Sequence, residues 1–315
     1  MFEKILELIK KHEKIVIHRH KNPDGDALGS QIGLWHILRD SFPEKDVRMV
    51  GDMTPRYAFI LGDIALDEIT DDYYEGALAI VLDTSAKALI SDERYQMAAA
   101  TARFDHHIFC ETIAEEEVTD TSFESCCGLI TSFAMNTGLT VSKAAAKALY
   151  TGMITDSGRF RYDSTNAQTF RMASFLMERE FDTSDIYRAL YSDDLVFIQL
   201  RARYTLKIRT TDQRVAFIYT DLAEAESYAK LYGADNFTLS RGMVNVMSEI
   251  RGIDSWVNFT ETDTGVLCEI RSSRHNINPI AVKYGGGGHQ KASGATLKDR
   301  DEAMRLLADL NALNG

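Results

Sequence analysis

His20, Asp24 and Asp26 place one imidazole and two carboxylates within seven positions of the chain, in the run His20-Lys21-Asn22-Pro23-Asp24-Gly25-Asp26. Imidazole and carboxylate are ligands for divalent cations. Pro23 and Gly25 are turn formers, one by its fixed φ and the other by its missing Cβ, so side chains around them can converge on a point. Asp24 and Asp26, two apart on such a turn, could face two adjacent ions. Taken alone, the same residues could equally be a helix-capping aspartate, a turn aspartate and an unrelated surface histidine.

Three further groups recur at the ends of apolar runs: Asp83 in Asp83-Thr84-Ser85, the triplet Asp105-His106-His107, and Asp156 in Thr155-Asp156-Ser157-Gly158. Each could be a cap or loop residue, and adjacent histidines are common on surfaces. Their joint placement is harder to dismiss. A crevice lined by Asp24, Asp26, Asp83 and Asp156 with no cation would suffer like-charge repulsion, which raises pKa values and costs stability. Divalent metals resolve that conflict. The set contains no thiolate, which disfavours a structural zinc site and suits two ions of the Mn²⁺ type, with Mg²⁺ or Co²⁺ as alternatives. Two ions at a typical separation of ~3.5–4 Å hold a phosphoryl oxygen and stabilise in-line displacement at phosphorus, so the reaction class is phosphoester hydrolysis.

The elements that must position these residues follow from the apolar pattern. Short runs precede the polar groups: Ile15-Val16-Ile17 before His18, Leu78 to Leu82 before Asp83, and Ala102-Arg103-Phe104 before Asp105. They read as strands. Leu28, Ile32, Trp35 and Leu38 have helical spacing between them, so the alternation predicts βαβ units and a parallel sheet. In such sheets ligands bind beyond the carboxyl ends of the strands, which predicts one shared crevice. Helices are expected over Val141 to Ile154, delivering Asp156 at the end, and over Asn166 to Glu180. Ser184 to Arg209 has helical spacing without a Gly or Pro break and reads as a connector. From Arg214 strand-like runs dominate, Val215 to Tyr219, Trp256 to Phe259 and Val266 to Ile270, with a helix expected around Arg241 to Ile250. The expectation is an α/β protein with a catalytic domain over 1–185, a helical linker over 186–212 and a smaller α/β domain over 213–315.

The net charge of −12 over 315 residues argues against coating long duplexes, a mode that depends on many Lys and Arg releasing counterions. Small anionic substrates stay compatible if positive charge is supplied locally. Between Arg271 and Lys291 there are four Lys or Arg and no Asp or Glu, and the segment contains Tyr284-Gly285-Gly286-Gly287-Gly288-His289. Consecutive glycines let backbone N–H groups approach an anion, although a lone glycine run is more often a flexible turn. Cys110, Cys126, Cys127 and Cys268 form no CxxC pair, the first fourteen residues lack the pattern of a signal peptide, and no long apolar stretch occurs. A cytoplasmic protein without membrane attachment is expected. His18 reads as a core histidine, Met243 and Met247 as core, and the acidic stretch Glu111 to Glu124 as a solvated face. Arg161, after Asp156, could face a phosphate, or equally make a surface ion pair.

His20 to Asp26, Asp83, Asp105-His106-His107 and Asp156 together resemble, in order, the four motifs of the DHH phosphoesterases. The resemblance implies that His20, Asp24 and Asp83 hold one metal and that Asp26, Asp83, His106 and Asp156 hold the other, with Asp83 bridging. It implies that His107 contacts the scissile phosphate while Asp105 orients the histidines. Arg271-Ser272-Ser273-Arg274 and the glycine run with His289 resemble the DHH-associated domain that follows the catalytic domain in one branch of that family. By that analogy Arg271, Ser273, Gly286, Gly287 and His289 bind substrate, clamped between domains. The implied substrates are very short oligoribonucleotides, linear dinucleotides such as pApA, and 3′-phosphoadenosine-5′-phosphate (pAp). Cyclic dinucleotides are the rival within the family, and a non-catalytic nucleotide sensor the rival outside it. A homodimer is one option for assembly.

Overall fold

The computed structural model describes residues 2–315. Two compact units divide the chain, the first ending at Ser192 and the second running from Asp193 to Gly315.

The first unit opens with α1 (Glu3–Lys11), whose Glu3 and Lys10-Lys11 suit the ends of the helix dipole and whose Ile5 and Ile9 are buried. Then come β1 (Lys14–Arg19), α2 (Gly25–Ser41), β2 (Asp46–Met49), β3 (Leu78–Leu82), β4 (Ala100–Asp105) and β5 (Glu116–Thr119). All five strands pair in parallel in the order β2-β1-β3-β4-β5. Every residue of β3 is buried, as a strand covered on both faces requires. After β1 the chain steps outward to β2 and then back to β3 on the other side of β1. The order in which strands are added therefore reverses between β1 and β3, where ligand crevices form in open α/β sheets.

Three helices complete the site's support: α3 (Cys126–Thr137), α4 (Lys143–Asp156) and α5 (Ala167–Met177), followed by α6 (Thr183–Tyr191). Ser125, Ser142 and Asn166 cap α3, α4 and α5 with their side chains. Helices α2 and α4 lie unusually close. A Cβ on Gly29 would stand 2.7 Å from the Ala148 carbonyl oxygen, and one on Gly152 would stand 2.2 Å from Cys127 Sγ and 3.0 Å from Asp26 Cα. This glycine seam brings Asp156, the last residue of α4, up to Asp26 in the first turn of α2.

In the second unit α7 (Leu195–Leu206) precedes β6 (Arg209–Thr210), β7 (Val215–Thr220), α8 (Leu222–Tyr232), β8 (Ser255–Thr262), β9 (Gly265–Ser272), α9 (Asn278–Lys283), β10 (Gly287–His289), β11 (Ala292–Leu297) and α10 (Arg300–Asn314). The sheet order is β10-β11-β9-β8-β7-β6, with β7 and β8 parallel and the other pairs antiparallel. Leu306 and Leu310 of α10 pack with Val257, Phe259 and Ile270, whereas Leu200 and Tyr204 of α7 pack with Ala216, Ile218, Met243 and Met247.

Two local expectations differ from the structure. The stretch expected as a linker, 186–212, holds parts of two helices in different units, because Leu200 and Tyr204 are fully buried in the second unit's core. The helix expected around Arg241 to Ile250 is a wide turn over Thr238–Gly242 and a tight one over Val244–Met247. Buried Asn258 donates to the Leu239 and Ser240 carbonyls there, at 2.8 and 2.7 Å, taking oxygens that a regular helix would use.

Candidate metal centre

Beyond the carboxyl ends of β1, β3 and β4 the structure brings together His20, Asp24, Asp26, Asp83, Asp105, His106 and His107, and α4 adds Asp156. Asp24 turns out to have two roles: its Oδ1 caps α2 by accepting from Asp26 N and Ala27 N at 3.0 Å, while the same side chain lies beside His20. His20 Nδ1 lies 2.9 Å from the Lys21 carbonyl, which leaves Nε2 facing Asp83 Oδ2 at 3.5 Å and Asp24 Oδ1 at 3.9 Å. On the other side His106 Nε2 stands 3.5 Å from Asp83 Oδ1, 3.5 Å from Asp156 Oδ2 and 3.7 Å from Asp26 Oδ2. Donors bound to one cation at about 2.0–2.2 Å lie roughly 3–3.5 Å apart, so both groups are close to that spacing.

Asp83 lies between the two groups. It is 2% exposed, and its Oδ1 has no hydrogen-bond partner among the described residues, an expensive state for a buried carboxylate oxygen unless a cation meets it. Its φ of +50° is uncommon for a residue with a side chain and marks strain held by the surrounding sheet, to which Asp83 N donates at Phe104 O, 3.0 Å. The donor chemistry and the orphaned oxygen both fit divalent ions.

Charge in the site is balanced by protons when no metal is present. Burial opposes a charged His20, but the carboxylates of Asp24 and Asp83 outweigh it and push its pKa up to about 11. Burial likewise opposes a charged His106, yet Asp83, Asp26 and Asp156 push it to about 10. Burial, with Asp83 and Asp24 nearby, raises Asp156 to about 7 against the pull of His106. Asp26 is raised by burial and then by Asp83 and Asp156, whereas Asp83 is held low against its own burial by the imidazoles of His106 and His20.

Several supporting groups carry no motif. Both oxygens of Asp26 accept main-chain bonds from the first residues of α3, Oδ2 from Cys126 N at 2.7 Å and Oδ1 from Cys127 N at 2.8 Å. Buried Arg19 braces the His20 turn: it bonds Gln31 Oε1 at 2.9 Å and the Asp52 side chain at 3.2 Å, and Asp52 accepts from Asn22 N at 2.7 Å. Glu124, expected on a solvated face, is buried and bonded to Ser125 Oγ at 3.0 Å and Thr169 Oγ1 at 2.9 Å beside the start of α3. The one sequence signal that could have found part of this is Ser125, an N-cap residue type directly before Cys126. His107 Nδ1 lies 2.8 Å from Asp105 Oδ1, and Asp105 in turn pairs with the fully buried Arg103. Asp24 and His107 are the open side of the site, with side chains 52% and 47% exposed.

The second unit's expected binding residues are arranged differently. His289 pairs with Ala292 across β10 and β11, and Ala292 with Arg271 across β11 and β9, so His289 and Arg271 share one row and one face, about 10 Å apart at the backbone. Arg271 donates to Glu269 Oε2 at 3.0 Å, Arg274 lies 3.7 Å from Asp254, and Lys283 bonds Asp309 at 2.7 Å. Ser273 Oγ lies 3.4 Å from the Asp254 carbonyl. A Cβ on Gly286 would stand 2.0 Å from Gly294 O, so that glycine is required by packing, whereas Gly287 faces open space. In the first unit, Arg161 is exposed, with Nε bonded to Gly158 O at 3.2 Å.

Comparisons with known proteins identify the family. Residues 14–153 match the model of the DHH family N-terminal domain, and 228–314 match that of the DHHA1 domain. The chain is 34% identical over 99% of its length to the bifunctional oligoribonuclease and PAP phosphatase NrnA of Bacillus subtilis, covering 98% of that protein. It is 31% identical over 96% of its length to the protein of the same name from Mycoplasma genitalium, covering 95% of it. A crystal structure of an exopolyphosphatase-related protein from Bacteroides fragilis superimposes with a TM-score of 0.84 at 25% identity, covering 99% of this chain and 95% of that one. No helix among the described residues is long and apolar enough to cross a membrane.

Proposed function

The chain belongs to the DHH family of phosphoesterases, and from that premise we propose that it hydrolyses very short oligoribonucleotides, linear dinucleotides such as pApA included, to mononucleotides, and also removes a phosphate from pAp. The observation that carries this reading is Asp83, a buried carboxylate whose unpartnered Oδ1 faces one imidazole-carboxylate group while Oδ2 faces another. Near full-length similarity to two proteins named for both activities supports the substrate class.

His20, Asp24 and Asp83 would hold one divalent ion, and Asp26, Asp83, His106 and Asp156 a second, with Mn²⁺ favoured by the nitrogen and oxygen donors. Such a pair supplies positive charge for phosphoryl oxygens and makes water more acidic. The chain's own residues do the rest. The α3 amides fix Asp26 so that it cannot rotate away from His106. Asp105 accepts from His107 Nδ1 and raises the pKa of the ring, and in the protonated imidazole Nε2 can donate to a phosphate oxygen on the exposed side. Arg271, Ser273, Gly286, Gly287 and His289 in the second unit, and Arg161 in the first, would hold the nucleotide. The four cysteines are unpaired, which suits a reducing cytoplasm.

Initial rates with Mn²⁺ across RNA oligomers from the dinucleotide upward, with pAp and cyclic di-AMP alongside, test the proposal. A steep preference for the shortest linear species, with pAp also cleaved, is expected. Activity that is flat or rises with length overturns it, and activity confined to the cyclic dinucleotide moves the function to the breakdown of cyclic nucleotides.

A further inference from the structure

We propose that Arg103 is a positioning residue for hydrolysis, acting through Asp105 to hold His107 with one face turned toward substrate. On β4, Thr101, Arg103 and Asp105 alternate with Ala100, Ala102 and Phe104, and the latter three enter the main apolar core. An arginine on the other face of an almost wholly buried strand is unusual, since removing a guanidinium from water is costly unless it is paired. Arg103 is 0% exposed and pairs with Asp105 Oδ2, itself 0% exposed. Its other terminal nitrogen bonds the Glu111 carbonyl at 3.1 Å and lies 3.5 Å from Glu117 Oε1.

These contacts have a direction. Asp105 gives one oxygen to Arg103 and the other to His107, accepting from His107 N at 3.3 Å and from Nδ1 at 2.8 Å. A carboxylate with one oxygen held by a guanidinium cannot rotate its second oxygen away from the imidazole. The Nδ1 proton is therefore fixed, and with it the tautomer and the orientation of the ring. Arg103 also anchors the loop that returns from His107: Glu111 is bound by its carbonyl, and Glu117 accepts from Ile113 N at 2.6 Å and Ala114 N at 2.9 Å. The same guanidinium thus ties down both the histidine's partner and the far end of the histidine's loop. What His107 does rests on the phosphoesterase reading above; how it is held does not.

Two measurements on Mg²⁺-loaded full-length protein test this separately. The first needs no turnover. In ¹⁵N-histidine-labelled protein, the His107 Nδ1 proton, assigned by its disappearance in His107→Ala, is expected as a slowly exchanging downfield resonance. Arg103→Met should abolish it and Arg103→Lys should shift it, and an unchanged resonance in both variants overturns the proposal. The second is a double-mutant cycle on pApA hydrolysis. Arg103→Met is expected to lower kcat by about 10–100-fold with little change in KM, as loss of an outer partner of a site residue does. Arg103→Lys should recover part of that loss, and in a His107→Ala background neither substitution should lower kcat further. If either lowers kcat equally in both backgrounds, Arg103 acts on the fold and not through His107. Should Arg103→Met fail to fold, Arg103→Lys carries both measurements. Wild-type protein inactive on pApA counts against the proposed substrate and leaves the resonance to decide the role of Arg103.

Discussion

In the first unit, Asp26, Asp83 and Asp156 crowd around His106 within 3.7 Å, and the buried Oδ1 of Asp83 accepts no hydrogen bond among the described residues. In the second unit, Arg271, Arg274 and Lys283 each lie against a carboxylate of that unit: Glu269, Asp254 and Asp309. One unit is folded around an unmet electrostatic need, the other has already met its own. A local excess of one charge along the sequence therefore means different things in the two places. Four acids gathered in one place, with only imidazoles for partners, hold protons where they would otherwise hold cations. Three of the four bases around a glycine run recruit acids, from β9, from the residue before β8 and from α10, and the field they offer an anion is weaker than their number suggests.

The largest test of that contrast removes the bridging residue. Asp83→Ala takes a ligand from both groups at once, so turnover should fall by at least about a thousandfold, beyond the ~10–100-fold typical of outer-sphere partners. Calorimetric titration with Mn²⁺ should show the loss of tight binding. Arg271→Ala, by contrast, should raise KM for pAp about tenfold, the equivalent of one charge-assisted hydrogen bond, with kcat nearly unchanged. Equal effects of the two substitutions on kcat would erase the distinction between the units.

Glycines give a second comparison. Gly152→Ala forces a methyl group into Cys127 Sγ and the Asp26 backbone, and overpacking of that kind costs about 1–3 kcal/mol. Its melting temperature should fall by several degrees, and its Mn²⁺ affinity should fall with it, because the seam sets the approach of Asp156 to Asp26. Gly287→Ala meets nothing within 4 Å and should leave melting unchanged. A rise in KM for pAp in that variant would show that a backbone N–H there approaches the phosphate.

Proton release on metal binding is a smaller but cleaner signal. His20 and His106, at about 11 and about 10 in the metal-free protein, are both charged at pH 8 and must lose their protons to become ligands. Calorimetry in buffers of different ionisation enthalpy should report at least about two protons released at pH 8, and apparent affinity should rise steadily with pH up to that range. The sign for folding is opposite. Imidazoles raised above their unfolded pKa of about 6.5 stabilise the metal-free fold fully below that pH, and this contribution is lost as pH rises through 10 to 11. Metal uptake with no proton exchange would mean that the histidines are already neutral.

Much of the first unit was legible because buried parallel strands read as unbroken apolar runs, as Leu78–Leu82 does, and because strand ends are where such sheets bind ligands. What stayed hidden depends on contacts distant in sequence. Arg19 and Arg103 look like surface residues until their buried partners Asp52 and Asp105 are known. Glu124 is buried only because Ser125 and Thr169 receive it. The seam of Gly29 and Gly152 could be read as helix-weakening glycines, since nothing local says that two helices meet there. In the second unit, alternation along β9 was readable, but the side chain of Asn258 that disrupts the expected helix after Arg241 reaches across from another strand.

The smallest expected effect probes the second unit's self-neutralisation. If Arg271 contributes to anion binding, Glu269 competes with the substrate for it at 3.0 Å, with both side chains largely covered, 13% and 22% exposed. Glu269→Gln keeps the shape and a hydrogen-bond acceptor but removes the charge. The guanidinium is then less occupied, and KM for pAp should drop about two- to fivefold at low salt, under 1 kcal/mol, as expected for relieving one partly screened ion pair. The gain should shrink as salt is raised, because the charge it exposes is screened over about 8–10 Å at 0.1–0.15 M. A KM that rises instead would mean that Glu269 holds Arg271 in the geometry the phosphate needs, making the pair a support for the binding residue and not a competitor for it.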